Sequence, residues 1–172
     1  MAGKLFDDSL NLLRKLISIP SLSREEENTA SAIEQFLEDQ GVKTHRMINN
    51  VWAYNEHFDA KKPTILLNSH HDTVKPNPGY SRDPFAADII DDKLFGLGSN
   101  DAGGCLVSLI AVFIHFYKAK NLKYNFCLAA TAEEEISGKN GIELILPQLG
   151  QLEFAIVGEP TLMQMAVAEL GL

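Results

Sequence analysis

Asn68-Ser69-His70-His71-Asp72-Thr73-Val74 follows the apolar run Ile65-Leu66-Leu67 and precedes Pro76 and Pro78, and the reading of this chain turns on it. A short apolar run bounded by turn residues reads as a buried strand, so two imidazoles and a carboxylate are delivered at a strand end. In α/β proteins that is where ligands and reactive groups collect. A histidine two residues before an aspartate suits metal binding, because one ring nitrogen can hold an ion while the carboxylate takes the other N–H and fixes the tautomer. By itself the pair is an ordinary surface combination, and its meaning depends on what the rest of the chain brings to it.

Upstream, Leu5 to Ile17 places Phe6, Leu10, Leu13 and Ile17 on one helical face and stops before Pro20. Ser23 with Glu26 reads as a capping box for a second helix that ends at Gly41, with Glu25 and Glu27 adding charge at its positive end. Ala30, Ile33 and Leu37 form that helix's apolar side, and the acidic run is a cap rather than a site. Val42 to Ile48 and Val51 to Tyr54 are β-prone segments around Asn49-Asn50, ahead of the strand Thr64 to Asn68.

Downstream, Ile89-Ile90 and Leu94-Phe95 form a hairpin turning at Asp91-Asp92, and Trp52, Phe85 and Phe95 read as packing residues. Gly96-Leu97-Gly98-Ser99-Asn100-Asp101 then leads into a long helix with the stripe Leu106, Leu109, Ile110, Phe113 and Tyr117. Asp101 stands at the mouth of this helix, where an N-cap role competes with a ligand role. The glycines lack the spacing and the Gly-Lys-Ser/Thr ending of phosphate-cradling loops, and a carboxylate there repels phosphate, so no nucleotide site is expected. The strand Asn125 to Ala130 ends in Glu133-Glu134-Glu135, before a short helix from Asn140 to Leu146, and the strand Phe154 to Val157 ends in Gly158-Glu159-Pro160.

One pattern thus recurs: a strand or hairpin, then an acid or a histidine. Helix-linked strands usually lie parallel, so His70, Asp72, Asp101, Glu134, Glu135 and Glu159 converge on one edge of one sheet. So many carboxylates together repel one another unless cations neutralise them. The expected fold is α/β, with a mostly parallel central sheet and helices on both faces.

Bulk properties agree. The 172 residues are 45% hydrophobic and 22% charged, the composition of one globular domain with a substantial core. A net charge of −8 without a basic stripe argues against a nucleic-acid partner. No apolar signal core opens the chain and no apolar run approaches spanning length, so no membrane partner is expected and a cytoplasmic location is the default. Cys105 and Cys127 have neither metal-type nor redox-type spacing and read as reduced, small packing residues.

With these residues in view, the chain resembles the two-zinc deacylases and exopeptidases that include acetylornithine deacetylase, succinyl-diaminopimelate desuccinylase, aminoacylase and carboxypeptidase G. Ser69-His70-His71-Asp72-Thr73-Val74, Gly96-Leu97-Gly98-Ser99-Asn100-Asp101, Ala132-Glu133-Glu134-Glu135 and Val157-Gly158-Glu159-Pro160-Thr161 occur in family order. Ile19-Pro20-Ser21, Asn68-Ser69-His70 and Ala166-Val167-Ala168-Glu169 point to its acetylornithine deacetylase-like branch. The resemblance implies that Asp101 bridges two zinc ions, with cobalt as a possible substitute. His70 and Glu159 would complete the first site and Glu135 would hold the second. Asp72 would orient His70. Glu134 would be the general base, taking a proton from the attacking water and passing it to the leaving amine. The peptide between Asp101 and Ala102 would be cis. Substrate-binding residues are not assigned.

The family's second zinc also takes a histidine from far downstream, and a lid domain contributes another. Both lie beyond Leu172. His45, His57 and His115 do not replace them, and His71, facing away from His70 along a strand, is a bystander. Residues 1–172 are therefore expected to be the N-terminal segment of a catalytic α/β domain, inactive alone, without the lid and the returning C-terminal segment. An alternation over 164–169 reads as a further strand. The expected activity of the complete protein is release of a short acyl group from a small N-acyl amino acid, acetylornithine in arginine biosynthesis leading, with homodimerisation through the lid. A desuccinylase or a dipeptide-cleaving exopeptidase is the alternative within the family, and a non-catalytic binding fragment the alternative outside it.

Overall fold

A computed structural model describes residues 2–162, 164 and 165. Seven strands and four helices follow the order α1 (Ala2–Ile17), α2 (Glu27–Asp39), β1 (Thr44–Met47), β2 (Asn50–Tyr54), β3 (Thr64–His70), β4 (Asp88–Ile90), β5 (Lys93–Phe95), α3 (Cys105–Tyr117), β6 (Asn125–Thr131), α4 (Ile142–Ile145) and β7 (Phe154–Val157). The main sheet has the order β1-β2-β6-β3-β7, and β4-β5 form a separate hairpin. Its parallel part is β6-β3-β7, as the helix-linked strands require, while β1 and β2 extend the same sheet with antiparallel pairings. The architecture is α/β with a mixed sheet.

Strand alternation divides the core in two. Val51, Ala53, Ile65, Leu67, Leu128 and Ala130 face one way, against α1, α2 and α3. Trp52, Leu66, Cys127 and Ala129 face the other way, against Ile145 and Leu149. The stripe on α3 is as its spacing predicts, with Leu106, Ile110 and Phe113 fully buried, and so is that on α2, where Ala30, Ile33 and Leu37 are all buried. The 19-residue stretch Ser99–Tyr117 is apolar and long enough to cross a membrane, a length that the sequence alone did not suggest. Here a kink at Asp101 and Ala102 breaks it, and the apolar stripe lies on the sheet.

Three local expectations change. The inner face of α1 is Leu12, Leu13, Leu16 and Ile17, while Phe6 is exposed. The apolar residues that this helix buries all lie in its second half, so periodicity marked the right stripe and overran its length. Phe95 is likewise exposed, with the Arg82 guanidinium over its ring. Third, Ser23 and Glu26 do not form a capping box, and no side chain caps α2. The Ser23 hydroxyl instead donates to Asp72, and the buried Glu26 carboxylate accepts from Arg24 N, Asn49 Nδ2 and Glu133 N. The hairpin does turn at Asp91-Asp92, both in the left-handed region that a tight two-residue turn requires. From Ala166 onward the alternation read over 164–169 lies outside the described residues.

The strand register places the functional loops. His70 lies opposite Thr131 and Asn68 opposite Val157, so β6, β3 and β7 end abreast. At the opposite end, buried Asn125 ties the loop before β3 to the start of β6: its Nδ2 donates to Asp59 O and Lys62 O, and its Oδ1 accepts from Asp59 N. Asn125→Ala leaves these backbone groups without partners, so a loss of about 2–3 kcal/mol is expected. Urea unfolding checks it, and an unchanged midpoint would mean that water serves the loop equally well.

Candidate metal centre

His70 is the last residue of β3 and is 1% exposed. Alternation along the strand sends its ring to the site and sends His71 to the opposite side, against α2. There the His71 Nε2–H donates to the Asn49 carbonyl, which leaves Nδ1 to accept from the Thr29 hydroxyl. Burial lowers the His71 pKa, so this ring is a neutral packing group.

The His70 ring is held by Asp72. Its Nδ1 lies 3.1 Å from the Asp72 carbonyl oxygen and 3.3 Å from Oδ1. Nε2 then faces carboxylates from three other segments: Asp101 Oδ1 at 3.2 Å, Glu134 Oε2 at 3.7 Å and Glu159 Oε2 at 3.8 Å. Asp101 precedes α3 in a widened turn, 99–104, that begins after Gly98 at φ 75°. A Cβ on Gly103 would lie 2.5 Å from the Gly98 carbonyl oxygen, so this turn closes only around glycine. The Asp101–Ala102 peptide is cis, as the resemblance implies. Glu159 is fixed through its neighbour: Gly158 N donates to Asn68 O, and the Ser69 hydroxyl donates to Gly158 O.

The electrostatics follow from the crowding. Burial would lower the His70 pKa, but the hydrogen bond and charge of Asp72, then Glu159 and Glu134, overcome it and push it up to about 9. Burial would raise that of Asp72, but His70, the Ser23 hydroxyl and the Glu134 N–H hold it below the usual range. Glu135 and Glu159 are raised, first by burial and then by neighbouring carboxylates, with His70 acting the other way.

A donor set fit for a divalent ion results. Ligand atoms of His70, Asp101 and Glu159 lie within 4.8 Å of one another, a spread that a bound cation draws together. Glu135 lies outside this group of three.

Sequence reasoning missed how the glutamates are held. Asp72 is fully buried, and besides facing His70 it accepts from Ser23 Oγ at 2.7 Å, Glu134 N at 3.0 Å and Glu135 N at 3.2 Å. Ser23 is 49 residues from Asp72, and no local spacing signals the contact. Asp72→Ala is expected to weaken divalent-cation binding about 10- to 100-fold. Calorimetric titration measures it, and undiminished affinity would show that Asp72 does not hold the ligands.

Comparison with known proteins places this geometry. Residues 66–171 match peptidase family M20/M25/M40. The chain is 35% identical to a succinyl-diaminopimelate desuccinylase of Buchnera aphidicola, over 88% of this chain and 42% of that protein. It superposes on an M20 family metallo-carboxypeptidase from Sulfolobus solfataricus with a TM-score of 0.70 and 26% identity, covering 87% of this chain and 37% of that one. The YXEP protein of Bacillus subtilis, described as a dinuclear metal binding peptidase of the M20 family, shares the fold with a TM-score of 0.67 at 19% identity, over 90% and 43% of the two chains. The chain thus spans less than half the length of the relatives it matches. With more than half of its residues inside the family match, and the motifs at the ends of β3, β6 and β7 among them, this chain belongs to peptidase family M20/M25/M40.

Proposed function

We propose that the protein carrying this chain is a zinc-dependent hydrolase that releases the acyl group of an N-acyl amino acid, and that the acyl group is succinyl. The observation that carries the metal chemistry is His70 Nε2 facing three carboxylates while Nδ1 is turned to Asp72. A neutral imidazole with its Nδ1–H on Asp72 aims a lone pair at three anions, an arrangement that a cation stabilises. One imidazole with several carboxylates is a donor set that zinc accepts. In this reading His70, Asp101 and Glu159 would hold one ion, and Asp101 and Glu135 would contribute to holding a second. When bound, zinc lowers the pKa of water and polarises a carbonyl oxygen.

The other residues have roles in moving protons and fixing positions. Glu134 is 54% exposed at the rim, so it can reach both a water and a substrate amide. It takes a proton as the water oxygen bonds to the amide carbon, then delivers it to the nitrogen as the C–N bond breaks. Asp72 orients His70 and holds the backbone of Glu134 and Glu135.

Succinyl-diaminopimelate-type substrates come ahead of the acetylornithine type because the desuccinylases are relatives matched along 88 to 91% of this chain. Less than half of those proteins is covered, and we propose that this chain corresponds to the N-terminal segment of their catalytic domain. The complete protein, loaded with zinc, should therefore hydrolyse N-succinyl-diaminopimelate with a higher kcat/KM than N-acetylornithine or a dipeptide. Faster turnover of N-acetylornithine would restore the acetyl assignment, and no hydrolysis of any of them would end the deacylase reading. In the same protein Glu134→Gln should lower kcat by about 10²–10⁴-fold with zinc stoichiometry retained. Normal kcat at saturating zinc would remove Glu134 as the base.

A further inference from the structure

We infer that Glu26, at the start of α2, is a positioning residue for the general base: its buried carboxylate sets the backbone turn from which Glu134 projects. This rests on the reading of Glu134 given above. Glu26 is 107 residues from Glu133, and its Oε1 accepts the Glu133 N–H at 3.1 Å. The next two N–H groups in the chain, of Glu134 and Glu135, go to Asp72. Two fully buried carboxylates thus hold three consecutive amides. Successive amides directed at fixed anions define the orientation of a short turn far more closely than one bond can.

The turn needs that support. Glu133 has φ 53° and Ser137 φ 48°, so two non-glycine residues in the left-handed region bracket Glu134 and Glu135. Glu133's own carboxylate is turned away, accepting from Asn140 N and Nδ2. Glu26 is anchored in turn, with Arg24 N on Oε1 at 2.7 Å and Asn49 Nδ2 on Oε2 at 2.8 Å. Among the described residues no Lys, Arg or His forms an ion pair with it. A buried carboxylate neutralised only by N–H donors is costly as a mere helix start, where an exposed Ser or Asp serves as well. Its place is explained by the third donor, which belongs to the catalytic turn.

A displaced turn misaims Glu134, and misplacement on the scale of 1 Å costs about 100-fold in rate. The test uses the complete zinc-loaded enzyme. Glu26→Ala should lower kcat about 10- to 100-fold with KM changed little and zinc content retained. Glu26→Gln keeps an amide oxygen for Arg24 N and Glu133 N, and should recover most of the loss. In a Glu134→Gln background Glu26→Ala should cost less than about twofold, because the base it aims is already gone. An equal loss in both backgrounds, or unchanged kcat in Glu26→Ala, overturns the inference. If Glu26→Ala does not fold, Asn49→Ala, which frees Oε2 alone, decides: a several-fold fall in kcat confined to the Glu134-containing enzyme supports the role and an unchanged kcat overturns it. A normal kcat in Glu134→Gln by itself would instead defeat the base assignment, a result that the single-variant assay distinguishes.

Discussion

The Asp72 carboxylate is the contact on which the rest of this site depends. It is fully buried, yet it serves four groups from three parts of the chain: the Ser23 hydroxyl ahead of α2, the His70 ring at the end of β3, and the backbone amides of Glu134 and Glu135 after β6. Burying an anion is unfavourable unless donors surround it, and here every donor is part of the machinery or next to it. The same bonds that keep the carboxylate ionised fix the His70 ring and the backbone of Glu134 and Glu135.

Its neighbours are arranged the opposite way. Asp101, Glu134, Glu135 and Glu159 converge with few donors of their own, and Glu135 and Glu159 are pushed above their ordinary range by burial first and then by the neighbouring carboxylates. The site therefore has a saturated inner anion and an undersaturated outer ring. That contrast separates a carboxylate that organises the structure from a ring of charge that a nearby cation would stabilise. His70 is raised by both groups, first by the hydrogen bond and charge of Asp72 and then by Glu159 and Glu134 of the outer ring.

Much of this was legible in the sequence, and the residues show why. Strand ends carrying His70, Glu135 and Glu159 could be read from short apolar runs followed by turn residues, because period and burial are local properties. Convergence followed from the parallel pairing that helix links enforce. Ser23 and Glu26 were misread for the same reason that the rest succeeded: their spacing matches a capping box, and a local rule was applied where two contacts 49 and 107 residues away had taken both side chains. The antiparallel extension by β1 and β2 escaped for a related cause, since nothing within those strands says which neighbour they join. Phe6 and Phe95 show the other limit, in which an apolar residue falls on the right face of an element that extends past its support.

The strand order β6-β3-β7 has a bearing on how the site comes into being. β3 carries the histidine, but both strands that flank it lie later in the chain, and β7 begins 84 residues after His70. During synthesis His70 emerges long before Glu159, and the distant pairing of β3 with β7 has to close a long loop before any contact offsets the entropy lost. His70 and Glu159 therefore come together only when that pairing closes. A cation bound there reports that the three parallel strands have come into register, so that metal content becomes a measure of completed topology.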